Sequence, residues 1–91
     1  MPVLKIKLTV QNEQGLHARP AALFVQLANK FESRITVTRD KEEVNGKSIM
    51  GILMLGAEKG SSIVVEADGI DAQLALTELE KIITAQEPKQ K

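Results

Sequence analysis

Apolar and polar residues alternate in four short segments of the chain, and each alternation predicts a half-buried strand. These segments are Val3–Val10, Arg34–Thr38, Glu42–Val44 and Ser62–Ala67. The apolar side of the first segment is formed by Leu4, Ile6, Leu8 and Val10. Since every strand has one apolar side, we predict a sheet with one face toward a core and the other toward water.

Helical spacing of apolar residues marks three further segments. The first predicted helix runs from about Ala18 to Lys30. A short helix over Ile49–Leu55 follows, with Ser48 placed as its N-cap and Gly56 placed to end it. A last helix opens at Asp71. The apolar stripes are Ala21, Ala22, Val25, Ala28 and Phe31 in the first helix and Ala72, Ala75, Leu76, Leu79, Ile82 and Ile83 in the last.

The predicted order of elements is β-α-β-β-α-β-α, which indicates an α+β fold. Because the helices must cover the apolar side of the strands, we predict a two-layer, open-faced β-sandwich. In it a four-stranded antiparallel sheet is covered on one face by three helices. The 91 residues suffice for one domain, 1–91. Its polar tail, 86–91, contains a proline and is expected to be flexible.

Composition narrows the classes of function. Twelve basic and twelve acidic residues cancel, and the only aromatic residues are two phenylalanines, so neither nucleic acid nor a membrane surface is an expected partner. Without cysteine there is no disulfide and no thiolate metal site. No apolar run is long enough to span a bilayer, so a cytoplasmic protein is expected. A single histidine without a second nearby ligand gives no metal site, and no cofactor is expected.

The run Gly15-Leu16-His17-Ala18-Arg19-Pro20-Ala21 places the only histidine at the start of a predicted helix. Free backbone N–H groups and the positive end of the helix dipole favour an anion there, and they favour a neutral, nucleophilic imidazole. Arg19 can neutralise the charge of a phosphoryl group as it arrives and leaves. The residues expected to position that group are Gly15, Ala18 and Pro20: glycine allows close backbone approach and proline stiffens the first turn.

A lone histidine near a helix start is more often a cap or an ordinary surface residue than a site of chemistry. Glycine before it, arginine two residues after it and proline in the first turn shift the interpretation toward a phosphoryl acceptor.

This seven-residue run closely resembles the active-site signature of HPr, the histidine-containing phosphocarrier of the phosphoenolpyruvate-dependent sugar phosphotransferase system. The resemblance extends from the first strand to the last helix. It implies that His17 is phosphorylated on Nδ1 by Enzyme I and donates to enzyme IIA domains, assisted by Arg19. Such a protein is an intermediate in phosphoryl transfer rather than an enzyme that turns over by itself.

A second segment, Asn45-Gly46-Lys47-Ser48-Ile49-Met50-Gly51, is similar to the regulatory segment of HPr proteins controlled by HPr kinase/phosphorylase. The resemblance implies phosphorylation of Ser48 from ATP or pyrophosphate, although an N-cap serine is common and needs no such role. It leaves open whether a transcriptional regulator reads phospho-Ser48. If Ile52 and Leu55 face the sheet, the remaining apolar side chains form a surface patch. The expected docking residues are Lys47, Ile49, Met50 and Leu53.

Other features leave the pathway open. Ile52-Leu53-Met54-Leu55, followed by Glu58-Lys59-Gly60, is also similar to NPr, the nitrogen-related branch, which serves a regulatory phosphorelay. A purely regulatory protein of the Crh type is disfavoured because that type lacks the histidine that His17 provides. Two rivals are an adaptor that uses the patch without phosphorylation and a small-molecule-binding regulatory domain. A monomer is the simplest expectation for a carrier that docks through one face.

Overall fold

A computed structural model of the protein describes residues 3–85, and in it the predicted element order is confirmed. The elements are β1 (Val3–Thr9), α1 (Ala18–Ala28), β2 (Arg34–Arg39), β3 (Glu42–Asn45), α2 (Ile49–Leu55), β4 (Ser62–Asp68) and α3 (Ala72–Thr84). The predicted boundaries differ from these by at most two residues. The tail expected to be flexible, 86–91, lies outside the described residues.

The four strands form one antiparallel sheet in the order β1-β4-β2-β3. The central strand β4 pairs with β1 from Val3↔Asp68 to Thr9↔Ser62, and its other edge pairs with β2. The helices cover one face, so the predicted open-faced α+β sandwich is confirmed. This order brings the C-terminal end of β1 beside the N-terminal end of β4, and the chain turns into α1 at that end of the sheet.

The core lies between the sheet and the helices, and one helical stripe differs from the prediction. Every second residue of β2 and β4 is buried on the covered face, as expected from alternation. In α1, however, Phe24 is fully buried, whereas Ala22 and Val25 are only half-buried. The predicted stripe omitted Phe24 and was rotated away from it. Burying the larger apolar surface of the phenyl ring is the more favourable choice and sets the orientation of the helix.

The carboxylate of Asp71 joins the start of α3 to the loop between α1 and β2. Its oxygens accept hydrogen bonds from the Ser33 hydroxyl (2.6 Å), the Ser33 N–H (2.9 Å) and the Glu32 N–H (2.9 Å). Asp71 is the N-cap residue of α3, yet its side chain makes no capping bond within the helix. The Ser33 hydroxyl and then the Glu32 N–H lower the pKa of Asp71 from its ordinary value of 3.8, because they stabilise the charged form.

Because the pKa of Asp71 is lower in the folded state, the stability it contributes is complete above the unfolded value near 3.8. It is lost as the pH falls through the folded value. We therefore expect Asp71→Asn to lower the urea midpoint at pH 7. We also expect the variant to lose less stability than wild type as the pH falls. Urea titrations from pH 7 to pH 2 measure both effects.

The matched control is Asp68→Asn, at the end of β4, because the Asp68 side chain makes no hydrogen bond within the described part of the chain. If wild type and Asp71→Asn lost stability equally as the pH falls, the hydrogen bonds to Asp71 would not favour its charged form over its protonated form.

Candidate functional site

His17 is the N-cap residue of α1 and is exposed. Its backbone is extended, with φ −90° and ψ −163°, and its side chain makes no capping hydrogen bond. The carbonyl of His17 instead begins the helix by accepting the N–H of Ala21 at 2.8 Å. Among residues 3–85 the imidazole has no hydrogen-bond partner, so His17 is held at the helix terminus by its backbone.

The first turn of α1 presents backbone donors beside this imidazole. The N–H groups of Ala18 and Arg19 have no acceptor among residues 3–85, because the first N–H groups of a helix have no partner inside it. Pro20 follows them and has no N–H, so it adds no unpaired donor, and its fixed φ suits this turn. Two donors and the positive helix terminus thus converge on the side of the helix that an anion would approach.

The turn before His17 contacts Ala57, the second residue after the end of α2. Leu16 is buried and donates its N–H to the carbonyl of Ala57 at 2.8 Å. Gly15 has φ +72°, and a Cβ at this position would lie 2.5 Å from the Ala57 oxygen and 2.8 Å from the Glu58 Cα. The close approach that Gly15 allows is therefore to the protein's own backbone. Its predicted part in positioning a phosphoryl group stays a prediction, now with an indirect route through His17.

Asn12 joins the same turn to the end of α3, and it belongs to no sequence motif. Its carbonyl accepts the Gly15 N–H at 3.0 Å, and its side-chain N–H donates to the Ala85 carbonyl at 3.0 Å. Asn12 is only 6% exposed, and its Oδ1 is buried without a hydrogen-bond partner among the described residues. In the sequence Asn12 is only a polar residue in a predicted loop. Its burial depends on how the turn packs, which the sequence alone does not indicate.

A shallow surface depression opens beside His17, lined by Gln14, His17, Ala18 and Arg19. Arg19 forms no ion pair with a carboxylate of residues 3–85, so its guanidinium is available to an anion. Glu13, the acidic residue of the turn, is paired with the ammonium of Lys59 at 2.7 Å. The balance of charge at the depression is therefore favourable for a phosphoryl group.

Among residues 3–85 no group of three or more His, Cys, Asp and Glu side chains could hold a metal ion. In the same range, no helix combines the length and the apolar character that a membrane crossing requires.

α2 contains the second predicted site and has the predicted boundaries. The hydroxyl of Ser48 accepts the N–H of Gly51 at 3.1 Å, so its role as N-cap is confirmed. Gly56 ends the helix in the left-handed conformation, φ +64°. Ile52 and Leu55 are buried, as expected. The outward side chains form what we call the α2 patch, which consists of Ile49 (38% exposed), Met50 (63%), Leu53 (39%) and Met54 (73%).

Met54 was missing from the predicted docking residues, although it is the most exposed residue of the α2 patch. The signal was present in the sequence. At about 100° per residue, the position of Met54 is about 160° around the helix from Ile52 and about 100° from Leu55, so it faces away from the buried side.

The helices α1 and α2 run antiparallel, so His17 and Ser48 lie at opposite ends of the pair. At one end Leu16 bonds to Ala57, and at the other the side chain of Asn29 donates to the Lys47 carbonyl at 3.3 Å. The ammonium of Lys47 donates to the Phe31 carbonyl at 2.6 Å. Lys47 is therefore half-buried at the C-terminal end of α1 and is not brought together with Arg19.

Known proteins resemble this chain in sequence and in structure. Residues 4–85 match the sequence profile of the PTS-HPr family, described as the PTS HPr component phosphorylation site. Phosphocarrier protein HPr of Neisseria meningitidis is 48% identical over 80 residues, which cover 85% of this chain and 90% of the relative. The crystal structure of a phosphocarrier protein HPr from Bacillus anthracis superimposes with a TM-score of 0.86 at 43% identity, covering 89% of this chain and 96% of that one.

A third neighbour is Crh of Bacillus subtilis, solved as a domain-swapped dimer. Its TM-score is 0.71 at 42% sequence identity, with 88% of this chain and 92% of that chain covered. The dimer is a property of that protein, and the monomer expected for this chain stays a prediction.

The contact between Gly15 and Ala57 leads to a stability prediction. Gly15→Ala adds a Cβ both in the left-handed region and against backbone, whereas Gly60→Ala at φ +92° meets nothing within 4 Å. We expect Gly60→Ala to cost about 1–2 kcal/mol of unfolding free energy from backbone strain alone. Gly15→Ala should cost about 1–3 kcal/mol more, because the turn must also shift.

Urea unfolding of both variants at one pH measures the difference between the two losses. Equal losses would contradict a rigid contact between the His17 turn and Ala57.

Proposed function

The chain belongs to the HPr family of phosphocarrier proteins of the phosphotransferase system, and on that premise we propose that His17 accepts a phosphoryl group from phospho-Enzyme I and donates it to enzyme IIA domains. The observation that carries this proposal is the exposed imidazole at the N-terminus of α1, next to two backbone donors without acceptors among residues 3–85. We propose the cytoplasm as the location of this relay, in keeping with the resemblance.

The proposed step is a displacement at phosphorus. The lone pair of His17 Nδ1 forms a bond to phosphorus while the bond from phosphorus to the donor breaks and its electrons return to the donor. In a second displacement the acceptor forms a bond to phosphorus while the N–P bond breaks and its electrons return to His17 Nδ1. Little covalent chemistry is required of the protein, so positioning and charge stabilisation supply most of the assistance.

The surroundings of His17 supply both kinds of assistance. The N–H groups of Ala18 and Arg19 are directed toward the oxygens that a phosphoryl group would bring, and the helix dipole favours its negative charge. The guanidinium of Arg19 adds a mobile positive charge without a competing carboxylate in the described chain. The backbone donors are fixed, while the arginine can follow the phosphoryl group between partners.

We propose the α2 patch, with Arg19 at one end and Lys47 at the other, as the docking surface for Enzyme I and the IIA domains. Methionine side chains are flexible and polarizable, so Met50 and Met54 can adapt to more than one partner. One copy of the chain contains every residue that the relay uses, so we propose a monomer as the working unit.

We propose Ser48 as a regulatory phosphorylation site for an HPr kinase/phosphorylase. Its hydroxyl is at the N-terminus of α2, where a phosphate of about two negative charges is tolerated. The seven residues of α2 separate it from the Ala57 end by about 10 Å at 1.5 Å per residue. This is more than the Debye length of about 8 Å in the cell. The phosphate would therefore act mainly on partners that dock on the α2 patch, and only weakly on His17.

A regulatory phosphorelay or adaptor without a role in sugar transport is the second candidate. It is favoured by the similarity to the Crh protein of Bacillus subtilis, which is 47% identical over 73 residues. Both candidates share the fold. A regulatory phosphorelay also carries phosphate on His17 and differs from the first candidate in the process that it serves, whereas an adaptor needs no phosphate on His17.

His17→Ala separates a phosphoryl carrier, whether in sugar transport or in a regulatory phosphorelay, from an adaptor that works without phosphorylation. Incubated with phosphoenolpyruvate and Enzyme I, the wild type should acquire phosphate that is labile in acid and stable in base, because it is bound to nitrogen. The variant should acquire none, and transfer from the labelled wild type to a IIA domain should be measurable. Absence of label on the wild type, or label that survives His17→Ala, would refute the carrier proposal.

Ser48→Ala tests the regulatory proposal. With HPr kinase and ATP, the wild type should be labelled and the variant should not. Enzyme I should have a raised KM for the protein phosphorylated on Ser48, because charge appears beside the docking surface. Ser61→Ala is a suitable control, since Ser61 also accepts a backbone N–H through its hydroxyl, from Glu58 at 3.0 Å. Equal labelling of wild type and Ser48→Ala would end the proposal.

A further inference from the structure

Arg39, at the end of β2, makes contacts that the sites described above do not use. Its Nη1 donates to the carbonyl of Leu55 at 3.0 Å and to the carbonyl of Gly56 at 3.2 Å, sixteen and seventeen residues away along the chain. These carbonyls belong to the C-terminal end of α2, where the last carbonyls of a helix have no partner inside it. The last turn of α2 contains no basic residue, so Arg39 supplies the cation that the negative end of the helix favours.

The backbone that Arg39 holds continues directly into the acceptor that holds the His17 turn. The Gly56 carbonyl belongs to the peptide group that joins Gly56 to Ala57, and Ala57 is buried. The next carbonyl, that of Ala57, accepts the Leu16 N–H at 2.8 Å. The guanidinium and the Leu16 N–H therefore bind adjacent peptide groups of the chain.

Leu55 and Ala57 are buried at this end of α2, but the last carbonyls of the helix have no partner inside it. The helix has seven residues, about two turns, and helices of that length have little stability on their own. Its C-cap is Gly56 at φ +64°, the residue type with the greatest backbone freedom. Fixing the two carbonyls from a neighbouring strand removes that freedom where the His17 turn needs a stationary acceptor.

Arg39 does not belong to the candidate phosphoryl site. The depression beside His17 is lined by Gln14, His17, Ala18 and Arg19, and Arg39 is not among these residues. Arg39 also forms no ion pair with a carboxylate in the 3–85 range, which includes Glu42, its neighbour across the hairpin. Its charged hydrogen bonds are therefore directed to the end of α2.

We propose that Arg39 is a positioning residue for phosphoryl transfer: it fixes the Leu55–Ala57 backbone, and through the Ala57 carbonyl it fixes the turn that presents His17. The inference rests on the proposed function of His17 and extends it. Loss of the guanidinium should let the Ala57 carbonyl move. The hydrogen bond from the Leu16 N–H to this carbonyl would then open more often, and the His17 imidazole would be less well placed for phosphoryl transfer.

The test compares wild type, Arg39→Ala and Arg39→Lys with the control Arg34→Ala. Arg34 is on the same strand, is exposed and makes no side-chain hydrogen bond within residues 3–85. Hydrogen exchange of the Leu16 and Val65 amides is followed by NMR under conditions in which all four proteins are folded. Steady-state transfer from phospho-Enzyme I then gives kcat and KM.

Arg39→Ala should speed exchange at Leu16 by about tenfold or more, as expected for loss of charged hydrogen bonds, and should leave Val65 in the central strand unchanged. Its kcat should fall about three- to tenfold with a KM close to wild type, because a positioning residue acts on the reacting geometry. Arg39→Lys should recover most of both effects, since an ammonium can still donate to these carbonyls. Arg34→Ala should match wild type.

Three results would overturn the inference. The first is wild-type exchange at Leu16 in Arg39→Ala. The second is equal acceleration at Leu16 and Val65, which would indicate only a global loss of stability. An unchanged kcat with faster Leu16 exchange would also overturn it. If wild type accepts no phosphoryl group, the proposed function fails, and the exchange arm still decides whether Arg39 fixes the turn.

Discussion

The contact between the His17 turn and the end of α2 is the constraint on which the site depends. It combines a hydrogen bond from the Leu16 N–H to the Ala57 carbonyl at 2.8 Å with a backbone approach so close that only glycine fits at position 15. α1 begins immediately after this contact, so its position determines where the first helical N–H groups point. An imidazole and two backbone donors become a phosphoryl site only when their geometry is fixed beforehand.

The antiparallel pair of helices α1 and α2 divides the surface into distinct regions. One end carries His17 and Arg19, the opposite end carries Ser48 and Lys47, and the α2 patch lies between them. Under the proposed function, a partner that docks on the α2 patch meets both ends at once. A charge at Ser48 can then weaken docking without changing the geometry around His17, which is held independently by Ala57.

Periodicity in the sequence predicted the elements and much of the site. Alternation gave the strands, and the burial of Ile52 and Leu55 gave the exposed side of α2. Ser48 and Gly56 were identifiable because capping uses few residue types and acts over three or four residues of chain. Resemblance to a known signature added the roles of His17 and Arg19, which periodicity alone does not supply.

The features that sequence reasoning missed are contacts between residues far apart in the chain. Arg39 bonds to Leu55 across sixteen residues, and Asn12 bonds to Ala85 across seventy-three. Asp71 was predicted only as the start of a helix, but its carboxylate binds the loop at Ser33. Each depends on which strands are neighbours and on how the helices pack, and a single sequence has no local signal for either. Phe24 was missed for a related reason, since the apolar stripe alone left the rotation of α1 undetermined.

Under the proposed function, the backbone N–H groups of Ala18 and Arg19 hold the phosphoryl group on His17. NMR of the ¹⁵N-labelled protein before and after phosphorylation tests this most directly. We expect ³¹P coupled to Nδ1 of His17, together with downfield shifts of the Ala18 and Arg19 amide protons that exceed those of the neighbouring amides. Phosphate on the other ring nitrogen, or unchanged signals from both amides, would contradict it.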